Sequence, residues 1–255
     1  MTLVISPQHA DLLIALRRPG SPRAVVIGAT ALDHHVKLSR LTADVDLVIV
    51  ADRAEIADVL EALQWKPDRR EWQRWHRENS RIDVLPGTQR DLERGFVHVE
   101  GQDRDMSVVG FDLALEYASS VAIPNAEETV DVASLASVVV LKMVAWLDRP
   151  QQRHKDLGDL ACALTRALDD YDETRWHAPL VDVAPEDQSA FFVGMEVARI
   201  ASPAHRAKIA EFLRRAMTGS WPEVMAREAR LIAEDPGDIA RSLLDAFARG
   251  FGSPP

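Results

Sequence analysis

Apolar residues recur along this chain with two periods, and the change from one to the other divides it. Over residues 7–18, Leu12, Leu13 and Leu16 share one side of a helix. Arg23 to Gly28 (RAVVIG) is a short apolar run ending in glycine, which predicts a buried strand entering a turn. Ala31, Leu32, His35 and Leu38 predict a helix over 30–38, and the strongly β-forming run Leu47–Val50, preceded by SRLTAD, predicts a strand. Ile56, Val59, Leu60 and Leu63 form the apolar stripe of a helix over 54–64. Residues 71–76 and 81–85 read as two strands joined by the turn signal Glu78-Asn79-Ser80. Short strands and loops are expected over 96–124. From Ala133 the period becomes helical, over 133–147, 154–168, 185–200, 204–217, 222–233 and 237–248, with prolines at 150, 179, 185, 203, 222 and 236 near the helix ends. The expectation is an α/β (α+β) domain over 1–127, a mixed sheet flanked by helices, followed by a C-terminal helical bundle over 128–255.

Composition narrows the class. The 255 residues are 47% hydrophobic and 27% charged, as in ordinary globular proteins. Cys162 is the single cysteine, which rules out an internal disulfide and a cysteine-based zinc site; it lies in an apolar helical run and reads as a small core residue. No basic segment followed by an apolar one opens the chain, and the most apolar stretch, Val132 to Leu147, contains Lys142 and is too short to span a bilayer. A cytoplasmic protein with no membrane partner is expected. The net charge of −10 argues against nucleic acid binding over the whole surface, while leaving room for a local basic groove.

Chemistry concentrates around Asp44-Val45-Asp46, sixteen residues after Gly28. Alternate residues of a strand face the same way with α-carbons roughly 6.6 Å apart, so both carboxylates can reach one divalent ion or two adjacent ones. Hard oxygen ligands of this kind suit Mg²⁺. Asp83, in Arg81-Ile82-Asp83-Val84-Leu85, has Ile82 and Val84 facing away from it, and can take a proton or complete a second metal position. Three bare carboxylates at about 4 Å would repel by on the order of 4 kcal/mol per pair at an effective dielectric near 20, so clustering implies a cation. Taken alone, such an Asp-x-Asp also fits an exposed strand edge.

The order Gly-x-Thr-Ala, then Arg-x-Thr-x-Asp-x-Asp-Leu, then Ile-Asp-Val resembles the DNA polymerase beta-type nucleotidyltransferases, and within them most resembles the AbiEii-like abortive-infection toxins. The likeness extends to Val139–Arg149, which includes Lys142, and to Arg153-His154-Lys155-Asp156-Leu157-Gly158-Asp159-Leu160, and so covers about residues 24–165. It implies the nucleotidyltransferase sheet and an enzyme that moves a nucleotide from NTP to an acceptor hydroxyl and releases pyrophosphate. Asp44, Asp46 and Asp83 would hold Mg²⁺, or Mn²⁺ in its place. Gly28 and Thr30 would cradle the NTP phosphates, and Arg40 and Thr42 would steady the nucleotide or its loop. Lys142, with Arg149 on the same helical face, would reach the triphosphate, and Asp156 would complete the site. The likeness implies an RNA 3′ end as acceptor and a toxin paired with a cognate antitoxin protein. Transfer to a small molecule or a protein, and an inactive homologue that binds nucleotide or a partner, are the alternatives.

Three local features carry expectations of their own. The chain has Gly28-Ala29 where the family shows a glycine pair, and a turn needing positive φ at residue 29 would be strained. Lys142, Asp156 and Asp159 also fit an ion-pair cluster between two helices. Between Gln64 and Arg81, six basic residues alternate with Trp65, Trp72 and Trp75. This pattern suits a single-stranded tRNA or other RNA end, and suits somewhat better a hairpin whose tryptophans enter the core.

Overall fold

The computed structural model describes residues 3–38, 42, 44–99, 104–169 and 183–253. Arg40 therefore lies outside the described residues. The chain forms two compact units, Met1–His34 with Arg40–Ser134, and His35–Ser39 with Leu135–Pro255.

The first unit contains α1 (Pro7–Leu16), β1 (Ala24–Ile27), the start of α2 (Gly28–His35), β2 (Asp44–Ile49), α3 (Arg53–Ala62), β3 (Lys66–Pro67), β4 (Arg74–Arg77) and β5 (Ser80–Pro86). There follow α4 (Gln89–Arg94), β6 (Phe96–Val99), β7 (Arg104–Ser107), α5 (Phe111–Glu116), β8 (Ser119–Ala122) and β9 (Thr129–Val132). Seven strands make one mixed sheet in the order β3-β4-β5-β2-β1-β9-β8, and β6 and β7 pair separately. β2 lies at its centre, antiparallel to β1 and parallel to β5. Leu47, Val48 and Ile49 are buried on both faces, so β2 opens to solvent only at its start, at Asp44 and Asp46. On β5 the burial alternates strictly, with Ile82 and Val84 inward and Asp83 outward.

Helix α1 is started by a capping box between Ser6 and His9, with Pro7 in the first turn, where its missing N–H costs nothing. His9 is buried and stacked on Trp65, with ring centroids 6.0 Å apart. Its Nδ1 accepts from the Ser6 N–H (3.3 Å) and its Nε2 donates to the Arg81 carbonyl (2.9 Å), which fixes the tautomer and ties α1 to β5. Burial holds the imidazole pKa below its ordinary value, against the opposing pull of the Arg81 carbonyl and the Asp44 charge.

The second unit is helical: α6 (Leu135–Asp148), α7 (His154–Arg166), α8 (Gln188–Ile200) after a 3-10 turn at Pro185–Asp187, α9 (Pro203–Ala216), α10 (Trp221–Ala229) and α11 (Pro236–Gly252). Cys162 is buried in α7, as its apolar surroundings predict. Among the described residues no helix is long and apolar enough to cross a membrane. Helices α8 and α11 cross at Gly194 and Gly250, where a side chain would strike the Phe247 and Phe191 carbonyls respectively. Gly250→Ala is expected to destabilise this unit by about 1–3 kcal/mol through forced separation of the helices. Urea unfolding followed by far-ultraviolet circular dichroism measures it.

Candidate active site

The turn between β1 and α2 explains why glycine stands at position 28. Gly28 has φ +66, a left-handed conformation, and a Cβ there would overlap the Asp46 carboxylate. The turn thus packs its bare backbone against Asp46. Ala29 carries no positive φ; it is buried in the first turn of α2, and the strain expected of a second left-handed residue is absent. Thr30 is buried and its hydroxyl donates to the Asp44 carbonyl (3.1 Å), to which the Thr42 hydroxyl also donates at a longer 3.4 Å. Both threonines therefore position the backbone at the start of β2.

Strand register places the carboxylates. Asp46 stands directly opposite Asp83, and Asp44 opposite Arg81, in the parallel β2–β5 pair. Across the antiparallel β4–β5 pair, Arg74 stands opposite Asp83 and His76 opposite Arg81. Residues directly opposite one another share a face. One side of the sheet therefore carries Arg74, Asp83 and Asp46 in one row and His76, Arg81 and Asp44 in the next. Asp46 and Asp83 sit on neighbouring strands roughly 4.8 Å apart, where like charges cost on the order of 3 kcal/mol before solvent screening.

Two arginines offset the negative charge gathered on this face. Arg74 grips Asp83 with both ends of its guanidinium, Nε to Oδ1 at 2.9 Å and Nη2 to Oδ2 at 2.9 Å. The hydrogen bonds that Arg74 donates to Asp83 raise the Arg74 pKa above its ordinary value, against the effect of burial, with further contributions from the charges of Asp83, Glu71 and Asp44. Arg81 Nη2 lies 2.7 Å from Asp44 Oδ2. Among the described residues no group of three or more His, Cys, Asp or Glu side chains is gathered as a ready metal centre. In this arrangement guanidinium groups, one to a carboxylate, compensate Asp83 and Asp44. Sequence reading missed Arg74 as part of the site; its signal was the hairpin register, which puts it across from Asp83.

The remaining expected residues belong to the second unit. Lys142 is buried in α6 and its Nζ donates to Asp156 Oδ1 (2.7 Å) and Asp159 Oδ2 (2.8 Å) on α7. Burial alone would lower the Lys142 pKa, but the two carboxylates overcome it and hold the pKa well above the ordinary lysine value. Arg153 Nη1 stands 3.6 Å from the other Asp156 oxygen. Arg149 follows the last residue of α6, Asp148, and its backbone N–H donates to the Trp146 carbonyl (3.1 Å).

The tryptophan-rich segment is a hairpin with a tight turn. β4 and β5 are joined through Glu78, at φ 53, and Asn79, with Arg77 paired to Ser80. Trp65 and Trp75 are buried, Trp72 is half-buried with the Arg53 guanidinium 5.7 Å from its ring, and Arg77 pairs with Asp11 at 3.5 Å. Lys66, Arg69 and Arg70 are exposed.

No curated protein matches the chain. Among solved structures, the antibiotic-resistance factor ANT(2'')-Ia in solution is 11% identical over 78% of this chain and 95% of its own, with a TM-score of 0.43. JHP933 from Helicobacter pylori is 12% identical over 97% of this chain and 94% of its own, with a TM-score of 0.43. An antigenic nucleotidyltransferase-like protein from Paracoccidioides brasiliensis is 14% identical over 85% of this chain and 88% of its own, again with a TM-score of 0.43. The family model described as nucleotidyl transferase AbiEii toxin, type IV toxin–antitoxin system, matches residues 11–248, and the chain belongs to that family of nucleotidyltransferases.

Proposed function

We propose that this nucleotidyltransferase joins a nucleotide from an NTP to the 3′-hydroxyl of an RNA such as tRNA, and that it is the toxin of a toxin–antitoxin pair whose cognate antitoxin protein is its partner. The observation that carries the site assignment is the register of β2 and β5, which sets Asp44, Asp46 and Asp83 on one sheet face beside the Gly28 turn. These residues fit a hard divalent cation: they offer oxygen donors only, and their charges already draw two guanidinium groups. Asp44 and Asp46 would hold Mg²⁺, or Mn²⁺, with Asp83 as the third carboxylate. Bound there, the ion would neutralise triphosphate charge and polarise the reacting phosphoryl group.

The chain's own residues do the rest by positioning. Thr30 and Thr42 fix the β2 backbone, Gly28 lets the turn lie against Asp46, and the start of α2 offers backbone amides to phosphate. The acceptor oxygen bonds to the α-phosphorus while the bond to the β-phosphate oxygen breaks and pyrophosphate leaves. The acceptor's proton passes to a carboxylate oxygen of Asp83, which Arg74 must first relinquish. Exposed Lys66, Arg69 and Arg70 next to Trp72 supply the charge and one stacking surface for an RNA end. The buried Trp65 and Trp75 offer no stacking surface to a base.

The test offers each radiolabelled NTP with total RNA, an aminoglycoside mixture or a protein mixture as acceptor, and compares the wild type with Asp44→Ala. Labelled RNA is expected from the wild type alone. Label on the drug or protein instead would replace the acceptor; equal labelling by both forms would remove Asp44 from the site. Induced expression in a host lacking the antitoxin is expected to arrest growth for the wild type and not for the Asp44→Ala form.

A further inference from the structure

The grip of Arg74 on Asp83 competes with any duty of Asp83 as a ligand or a base, because the guanidinium takes up one lone pair on each carboxylate oxygen. The pair sits on a rigid hairpin, directly opposed across β4 and β5, and is mostly shielded from solvent, with side-chain exposures of 26% for Arg74 and 15% for Asp83. It is therefore screened little by salt. The contact of Arg81 with Asp44 is of another kind: Arg81 is 40% exposed and one oxygen of Asp44 is engaged, at 2.7 Å. Of the two guanidinium groups, Arg74 is the one that engages both oxygens of its carboxylate.

Arg74 also has somewhere to go. Glu71 is half-buried three residues earlier, its carbonyl accepts the Arg74 backbone N–H (2.9 Å), and its charge acts on the Arg74 guanidinium. The Glu71 carboxylate is otherwise touched by Gln73 Nε2 at 3.4 Å, a long and weak contact. Glu71 thus offers a second carboxylate three residues from Arg74 on the same segment, tied to it through the backbone.

We propose that Arg74 is a gate on the third carboxylate: seated on Asp83 it closes that position to a divalent cation, and moving to Glu71 it opens it. The inference rests on the reading of Asp44, Asp46 and Asp83 as a cation site. Binding by the full set of three carboxylates is then weakened by the fraction of time the gate stands open. The gate keeps Asp83 compensated until a cation, or a nucleotide carrying one, competes for it.

The test is Mn²⁺ binding to the full-length protein without nucleotide, read by the electron paramagnetic resonance of free Mn²⁺. Arg74→Gln is expected to bind Mn²⁺ about tenfold more tightly than the wild type, as a gate open a tenth of the time requires. Arg74→Lys is the deciding variant, since it keeps the charge but loses the two-pronged grip. It is expected to tighten Mn²⁺ binding by about threefold or more. An Arg74→Lys affinity equal to that of the wild type would reduce Arg74 to a background charge and overturn the gate. Glu71→Gln is expected to weaken binding in the wild type and to have less effect beside Arg74→Lys; equal effects in both backgrounds would remove Glu71 as the second seat, and the exchange with it. Asp46→Asn separates the two levels of the argument. If it leaves wild-type Mn²⁺ binding unchanged, or no form binds Mn²⁺, the cation site itself is wrong; if it abolishes binding while the Arg74 variants change nothing, the gate alone is wrong.

Discussion

Gly28→Ala is expected to lower nucleotidyl transfer by about 100-fold or more while the protein stays folded. Two effects act at one atom. An alanine held at φ +66 costs about 1–2 kcal/mol of backbone strain, which for a chain of this length lowers the melting temperature by a few degrees. The added methyl must also share space with the Asp46 carboxylate, so either the turn lifts or Asp46 rotates away. Displacement of a reacting group by about 1 Å is enough for a loss of that size. The neighbouring change makes the comparison: Ala29→Gly restores the family's glycine pair at a residue that needs no positive φ. It is expected to leave turnover within about twofold and to cost about 0.5–1 kcal/mol of helix stability. Steady-state transfer to RNA and thermal unfolding of both variants measure this. Retained activity in Gly28→Ala would show that the turn and Asp46 tolerate separation, and the packing of one on the other would lose its functional meaning.

Most of the site's framework was legible because it depends on local rules. Alternation around Asp83 put Ile82 and Val84 on the core face, and they are there. The β1 run ended in glycine where the chain turns left-handed. What escaped depends on register and on helix ends. Reading Glu78-Asn79-Ser80 as the hairpin turn makes it one residue longer than the turn found, in which Arg77 pairs with Ser80. A one-residue difference there would place Trp75, instead of Arg74, opposite Asp83, and slipping a strand by one residue exchanges its faces. The partner of Asp83 was hidden by that single residue. By contrast, strand β2 begins at Asp44, as the expected strand through Asp44 and Asp46 requires, because pairing to β5 outweighs the low strand propensity of aspartate. Helix α6 stops at Asp148, one residue short of Arg149, a distance that periodicity does not resolve. The grouping of His35–Ser39 with the second unit has no sequence signal; Arg166 of α7 donates to the Lys37 carbonyl at 2.7 Å, a contact between residues far apart in the chain.

Lys142→Met is expected to destabilise the helical unit by about 3–5 kcal/mol, the cost of removing one member of a buried ion cluster. Asp156 and Asp159 are 4% and 3% exposed, and both would lose the ammonium they now bind. Arg153, at 3.6 Å from one Asp156 oxygen and itself 42% exposed, compensates little. The pH dependence has a definite sign. The folded pKa of Lys142 lies above the ordinary value of 10.5, so the folded state holds this proton more firmly than the unfolded chain. The cluster's contribution is whole below about pH 10.5 and is lost as pH rises toward the folded pKa. Wild type should therefore lose stability steeply above about pH 10.5, and Lys142→Met should lack that component. Adding Asp156→Asn and Asp159→Asn to Lys142→Met removes the buried negative charge as well, and should recover a large part of the loss. Chemical unfolding at neutral and alkaline pH measures all three forms. A Lys142→Met protein as stable as the wild type at neutral pH, yet slower in transfer, would reassign Lys142 from holding α6 to α7 to handling the triphosphate.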